Sequence, residues 1–185
     1  MMKILRNLYN KNYVREFVIE GNDLILIKIK EEPKTCLWNY HYMFRGEKAP
    51  LNTSVIIKEN GLFPLDIAIN PEDDTISYIK FFVVNNQIKT SYVCNDFTYV
   101  NDNIKVINEK LDIDHMYMDI EKKFDYIVNN NELLVISSSC GREVTAYNIT
   151  EDNFILFEGE EFCGILFRNF SKEEKKALEE INILS

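Results

Sequence analysis

The stretch Asn153-Phe154-Ile155-Leu156-Phe157-Glu158-Gly159-Glu160-Glu161-Phe162-Cys163-Gly164-Ile165-Leu166-Phe167 reads as two apolar runs separated by a short acidic turn. Glycine takes positive φ at no steric cost, so Glu158-Gly159-Glu160 reverses the chain and the runs pair as an antiparallel hairpin. Just downstream the periodicity changes. In Ser171-Lys172-Glu173-Glu174 the Ser171 hydroxyl can accept from the Glu174 amide while the Glu174 carboxylate reaches back to the Ser171 amide, which is a capping box. Ala177, Leu178 and Ile181 follow at helical spacing, with Lys172, Lys175, Lys176, Glu179 and Glu180 on the wet side.

The same hairpin pattern extends toward the N-terminus. Val14 to Ile19 and Leu24 to Ile29 flank Gly21-Asn22-Asp23, and Thr53 to Lys58 and Leu62 to Ile69 flank Asn60-Gly61, the pair preferred in a two-residue type I′ turn. Pro64 removes a ladder donor, so its strand is expected at an edge or with a bulge. Asn70 to Asp74 turns the chain into Ile76 to Val84, and Asn85-Asn86 turns it again into Ile88 to Val93, so residues 53–93 read as a four-strand meander. Val144 to Ile149 adds a further run.

Between these regions the pattern is ambiguous. Ile113, Met116, Ile120, Phe124 and Ile127 are spaced for one helix face, while Phe124, Tyr126 and Val128 alternate as in a strand. A strand from about Lys123 is favoured, because Asn129-Asn130-Asn131 makes a turn and Leu133 to Ser137 is an apolar return run. The expected fold is mainly β: antiparallel hairpins and a meander forming a sandwich or partly open barrel, with a short C-terminal amphipathic helix.

A chain of 185 residues fits one domain. Two weak echoes suggest similar β-rich halves, about 1–94 and 121–185, joined by 95–120. Asn22 to Ile27 resembles Asn131 to Ile136, and Ile76, Ile79 and Phe81 resemble Phe162, Ile165 and Phe167.

Charge and composition exclude several classes. A net charge of −9 repels a phosphate backbone, so no nucleic-acid partner is expected. Lys3, Arg6, Lys11 and Arg15 precede the first acid, Glu16, and read as a solvated terminus. No apolar run approaches the roughly 20 residues of a membrane-spanning helix, so no membrane partner is expected. Residues 1–9 lack the pattern of a secretory leader, which makes the cytoplasm the expected location. Cys36, Cys94, Cys140 and Cys163 form no Cys-x-x-Cys pair and read as reduced thiols.

Three constellations could carry chemistry. Asp112, Asp114, His115 and Asp119 lie within eight residues, but the spacing matches neither an EF-hand loop nor a zincin and reads as a solvated acidic face, so no metal or other cofactor is expected. Cys140, in Ser137-Ser138-Ser139-Cys140-Gly141-Arg142, could be a hydrolase nucleophile if Arg142 lowered its pKa, although Ala146 occupies the position where a phosphatase loop has arginine. Trp38, Tyr40, Tyr42 and Phe44 alternate along one run and could either line a small-molecule site or simply fill the core.

Absence of catalytic machinery moves the expectation toward a non-enzymatic, acidic protein-binding module. Glu72, Asp73, Asp74, Glu158, Glu160 and Glu161 are its expected contact residues and a basic protein its expected partner, because an acidic surface steers such a partner. The abundance of Asn, Ile and Lys suggests an AT-rich bacterial genome, where the most concrete form of this function is an immunity protein neutralising a cognate toxin. The alternatives are a small-molecule-binding β-barrel or sandwich, a hydrolase using Cys140, and a self-associating subunit.

Overall fold

The computed structural model describes residues 3–7, 12–20, 24–34, 36–45, 65–84, 88–89, 97–101, 103–107, 111–129, 131–141 and 143–184. The expected turns at 21–23, 60–61 and 85–86, the run 53–58, Pro64, Cys94 and Arg142 lie outside them.

In chain order the strands are β1 (Lys3–Asn7), β2 (Tyr13–Glu20), β3 (Leu24–Glu31), β4 (Tyr40–Arg45), β5 (Leu65–Ile69), β6 (Ile76–Val84), β7 (Ile88–Lys89) and β8 (Phe97–Val100). They continue as β9 (Asn103–Ile107), β10 (Tyr117–Glu121), β11 (Phe124–Asn129), β12 (Glu132–Ser137), β13 (Val144–Thr150), β14 (Asn153–Glu158) and β15 (Glu161–Arg168), and the helix α1 (Lys172–Glu180) follows. A six-stranded sheet has the order β10-β4-β5-β6-β3-β2, a seven-stranded sheet the order β7-β11-β12-β15-β14-β13-β8, and β1 pairs with β9. The fold is mainly β, as the alternation implies.

Alternation decides which side chains meet between the sheets, since successive residues of a strand point to opposite faces. Ile25, Ile27 and Ile29 of β3, Ile79, Phe81 and Val83 of β6, and Leu133, Val135, Ile165 and Phe167 of the other sheet share one buried core. Phe81 meets Phe167 at 5.3 Å between ring centroids, and Phe44 meets Phe162 at 4.7 Å, so the sheets pack face to face. A second apolar cluster, with Leu134, Ile136, Phe154, Leu156 and Leu166, is buried on the other face of the seven-stranded sheet. Strand β12 is therefore covered on both faces, which is why Leu133 to Ile136 reads as a continuous apolar run.

The two sheets share one strand order. β4-β5-β6-β3-β2 corresponds to β13-β14-β15-β12-β11, in the same chain sequence. The correspondence extends to register: a bulge falls between Ala68 and Ile69 opposite β6, and another between Leu156 and Phe157 opposite β15. Ile76, Ile79 and Phe81 hold the same register positions on β6 as Phe162, Ile165 and Phe167 on β15. The other echo falls on corresponding strands but out of step. Ladder pairing sets Ile27, not Leu24, opposite the position of Leu133, because Ile27 pairs with Phe81 and Leu133 with Phe167.

Several sequence expectations need correction. The run after Val84 does not continue a meander: β7 crosses to the other sheet and pairs in parallel with β11. Parallel pairs also join β10 to β4 and β8 to β13, so both sheets are mixed, because strands arriving from the connecting segment dock on edges that no hairpin has closed. The strand following Pro64, β5, lies inside its sheet between β4 and β6, and the disruption expected there is the bulge. Among the described residues of the ambiguous segment, β9, a turn at 112–115 and β10 stand where a helix was the alternative.

At the C-terminus, Ser171 Oγ accepts from the Glu174 amide at 3.1 Å and the Ser171 amide donates to Glu174 Oε2 at 2.8 Å. Leu178 is buried, Ile181 joins the core, and the helix lies against β2.

Candidate functional site

The outer face of the six-stranded sheet carries a polar cluster built from four strands. On β4, Tyr42 and Phe44 point into the core, so His41 points out; on β5, Leu65 and Ile67 point in, so Asp66 points out. Asp66 is buried all the same. A buried carboxylate needs donors, and three surround this one. His41 Nδ1 lies 3.0 Å from Asp66 Oδ1, the Tyr78 hydroxyl donates to Asp66 Oδ2 at 3.0 Å, and Lys80 Nζ stands 3.8 Å from Oδ2. Because a carboxylate can only accept, Nδ1 of His41 carries a proton. Burial, with the Asp66 charge beside it, raises the Tyr78 phenol pKa above its ordinary value. Lys28 Nζ sits 5.0 Å from the Tyr78 ring centroid and completes the cluster on β3.

The corresponding positions of the other sheet carry no such chemistry. By ladder register, His41, Asp66, Lys80 and Lys28 match Ala146, Phe154, Leu166 and Leu134, all buried and apolar. One outer face is sealed and the other is polar.

The cluster holds an exposed aromatic ring in place. Tyr117, the first residue of β10, is opposite His41 in the parallel ladder, and the two rings stack with centroids 4.6 Å apart and planes 13° apart. Tyr117 is nevertheless 63% exposed. Trp38, two residues before β4, meets the Tyr40 ring edge-on at 5.2 Å and is 38% exposed. Its neighbour Leu37 is 98% exposed, and Ile113, in the turn before β10, is 70% exposed. As β4 and β10 run parallel, their starts lie at the same end of the sheet, with Tyr117 on the outer face against His41 and Trp38 against Tyr40, whose ring packs toward the core. Of the seven large apolar side chains exposed among the described residues, four are Leu37, Trp38, Ile113 and Tyr117.

Acidic groups flank this corner of the sheet. Asp112, Asp114, Asp119 and Glu121 are exposed along the turn and strand that carry Ile113 and Tyr117. Asp112 Oδ1 accepts from the amides of Asp114 and His115 at 3.0 and 2.9 Å and lies 3.1 Å from His115 Nδ1. The His115 contact holds its carboxyl below the usual carboxylate range. This turn closes on itself, and among the described residues no three metal-capable side chains converge.

The residues singled out from the sequence are placed differently. Tyr42 is in the core, Tyr40 half-buried against it, and Trp38 at the surface, so the three line no common wall. Strand alternation starts only at Tyr40, which is why Trp38 departs from it.

The acidic turns also separate. Glu72, Asp73 and Asp74 lie between β5 and β6, and Glu158, Glu160 and Glu161 at the β14–β15 turn. Phe44, at the end of β4 remote from the first turn, packs on Phe162 beside the second. Tyr13 donates to the Ile76 carbonyl beside the first turn, and Arg15 reaches Asn153 and Arg168 at the ends of β14 and β15 remote from the second. The two turns therefore occupy opposite ends of the sandwich. Several of their acids are engaged: Asp73 Oδ1 accepts from the Thr75 amide at 3.1 Å, Glu158 from the Gly141 amide at 2.9 Å, and Glu161 pairs with Lys122 at 2.5 Å.

Cys140 packs at the margin of the second apolar cluster, where burial raises its thiol pKa, and the buried Cys163 thiol is raised for the same reason. Desolvation disfavours the thiolate a nucleophile needs, and Arg142, the activator considered above, lies outside the described residues. Cys36, Cys140 and Cys163 are free thiols.

Sequence reasoning missed His41, Asp66, Tyr78 and Tyr117. The available signal was a charged residue, Asp66, inside the otherwise apolar run Leu65 to Ile69. Among the described residues, no helix is long and apolar enough to cross a membrane. No known protein family model matches the chain, and no curated protein resembles its sequence.

Proposed function

We propose that this protein is a non-enzymatic binding module for a basic protein partner, and that its contact surface is the corner formed by Leu37, Trp38, Ile113 and Tyr117. The observation that carries this reading is that two exposed aromatic rings are held rigid from beneath, Tyr117 by His41 and Trp38 by Tyr40. Rigid aromatics lose little entropy on association and recur as interface anchors. From Trp38 to His41 is three residues, and β10 is one strand away, so the patch spans about 15 Å, the size of the anchoring centre of an interface and not of the whole, which covers roughly 800 Å² per partner. The acids at 112–121 supply the complementary charge and steer a basic surface toward it. This corner replaces the two acidic turns as the expected contact region. The most concrete form of the function is an immunity protein capping a cognate toxin.

The test is a low-salt pull-down from the source cell, run with the whole chain and with the Leu37→Ser, Trp38→Ala double variant. A basic partner held in stoichiometric amount by the native protein, and lost by the variant, supports the reading. Finding no stoichiometric partner, or one that the variant holds equally well, overturns it.

A further inference from the structure

We infer that Cys140 and Cys163 form a site of reversible oxidative modification, at which a hydroperoxide converts the two thiols into an intramolecular disulfide. The whole β13–β14 hairpin separates them in sequence, and two features of the fold bring them together. The first is the bulge on β15. Phe157 pairs with Phe162 and Leu156 with Gly164, so Cys163 is the extra residue between them. A bulge re-aims side chains that strict alternation would place elsewhere. Phe162 and Ile165 enter the core between the sheets, while Cys163 turns into the second apolar cluster on the outer face. The second feature is the turn after β12. Ile136 pairs with Gly164, which carries Ser137 to the level of Cys163, and the Cys140 amide closes the turn by donating to the Ser137 carbonyl at 3.0 Å. Cys140 then packs against the same apolar cluster, and the two thiols are hydrogen-bond neighbours. The Gly141 amide, donating to Glu158 at 2.9 Å, ties this turn to the end of β14.

The pair has the asymmetry that the reaction needs. Cys140 is half-buried and meets a dissolved peroxide, whereas Cys163 is buried. Their mutual contact favours ionisation of Cys140 and opposes that of Cys163. Lys122, whose ammonium donates to the Phe162 carbonyl at 2.7 Å, favours both thiolates; Glu158 opposes both, and Glu161 opposes that of Cys140. Desolvation outweighs these charges, so the reaction is slow at neutral pH. The Cys140 thiolate attacks one oxygen of hydrogen peroxide: an S–O bond forms, the O–O bond breaks, and the other oxygen leaves as water with the thiol proton. Cys140 becomes a sulfenic acid, oxidised by two electrons as the peroxide is reduced. The Cys163 sulfur then attacks the Cys140 sulfur, forming the S–S bond and breaking S–O, and the hydroxyl leaves as a second water with the Cys163 proton. Two thiols and one peroxide give one disulfide and two waters.

The experiment exposes the reduced whole chain to hydrogen peroxide, alkylates remaining thiols under denaturing conditions and maps peptides without reduction. The expected product is a peptide pair joined through Cys140 and Cys163, about tenfold or more in excess of any link to Cys36 or Cys94 and reversed by dithiothreitol. It should form about tenfold faster at pH 8 than at pH 7, because below a thiol's pKa the thiolate fraction grows by that factor. Cys163→Ser should leave on Cys140 a sulfenic acid that dimedone traps, whereas Cys140→Ser should leave Cys163 unlabelled. Absence of the cross-link in the native protein, whether Cys140 overoxidises to a sulfinic acid or neither thiol reacts, overturns the proposal, as does preferential linkage of either thiol to Cys36 or Cys94. Dimedone labelling of Cys163 in Cys140→Ser as fast as that of Cys140 in Cys163→Ser overturns the order of attack. The native measurement decides the site even where a variant fails to fold.

Discussion

Arg15 and Glu174 are joined by two parallel hydrogen bonds, Nε to Oε1 and Nη2 to Oε2, both 2.8 Å, across 159 positions of sequence. The guanidinium has no idle donor: Nη1 also reaches Asn153 Oδ1 and the Arg168 carbonyl at 2.8 Å, and Nη2 the Asn169 carbonyl at 3.2 Å. The phenyl rings of Phe17 and Phe170 flank it. One side chain on β2 thus ties the six-stranded sheet to β14, β15 and the start of α1. Both partners are largely shielded from water, and removing one strands the other. Arg15→Met is expected to lower unfolding free energy by about 3 kcal/mol in urea titration. Glu174→Gln, which can still close the capping box, should cost less than Glu174→Ala.

Gly164 on β15 has no room for a side chain. An added Cβ would stand 2.2 Å from the Val135 carbonyl oxygen, a backbone atom that cannot rotate away. Gly164→Ala should therefore destabilise by more than about 2 kcal/mol, or fail to fold, whereas Gly159→Asn at the hairpin turn, with φ +59°, should stay within about 1 kcal/mol of the native protein.

Asp66 holds the Nδ1 proton of His41. Asp66→Asn puts an amide where the carboxylate accepts from His41 and Tyr78 and pairs with Lys80, at an expected cost of about 1–3 kcal/mol. Long-range nitrogen–proton correlation spectra of the native imidazole should show Nδ1 protonated. In the variant that preference should weaken; a spectrum unchanged by the substitution would contradict the assignment.

Cys140 should behave as a sluggish thiol. Its raised pKa leaves less thiolate at pH 7 than an ordinary cysteine has, so alkylation by iodoacetamide should be slower than for a model thiol and accelerate as pH rises. Peptide mass mapping after timed quenching would separate it from Cys163, which burial should make slower still.

Alkali should unfold the protein early. Tyr126 is pushed up to about 12 by burial, and burial likewise raises Tyr13 and Tyr78. A folded-state pKa above the unfolded value means the native state holds its proton longer, so the stabilisation is complete below the ordinary tyrosine value of 10.0 and is lost as pH rises through the folded value. The urea midpoint should fall steadily above about pH 10, and Tyr126→Phe should make that fall shallower.

The hairpins β2–β3, β11–β12 and β14–β15 were legible because their causes are local. The alternation around Glu158-Gly159-Glu160 needs only the two-residue strand period and one residue at positive φ, and the Ser171 capping box needs only neighbours three positions apart. The segment 112–121 was not legible, because Ile113, Met116 and Ile120 also fit a helical face. Pairing between Tyr117–Glu121 and His41–Arg45 decides for a strand, and ladder hydrogen bonds to a distant partner have no local signature.

By itself, then, the sequence determined the β class, the antiparallel hairpins that its turns close, the terminal helix and the acidic field, all consequences of residue chemistry acting over a few positions. Only the tertiary structure decided which sheet each strand joins, that the two acidic turns lie at opposite ends, and that Asp66 sits beneath His41 and His41 beneath Tyr117. Those relations depend on strand order and register, and register is set by burying one face of every strand at once. No single stretch of the chain contains that condition.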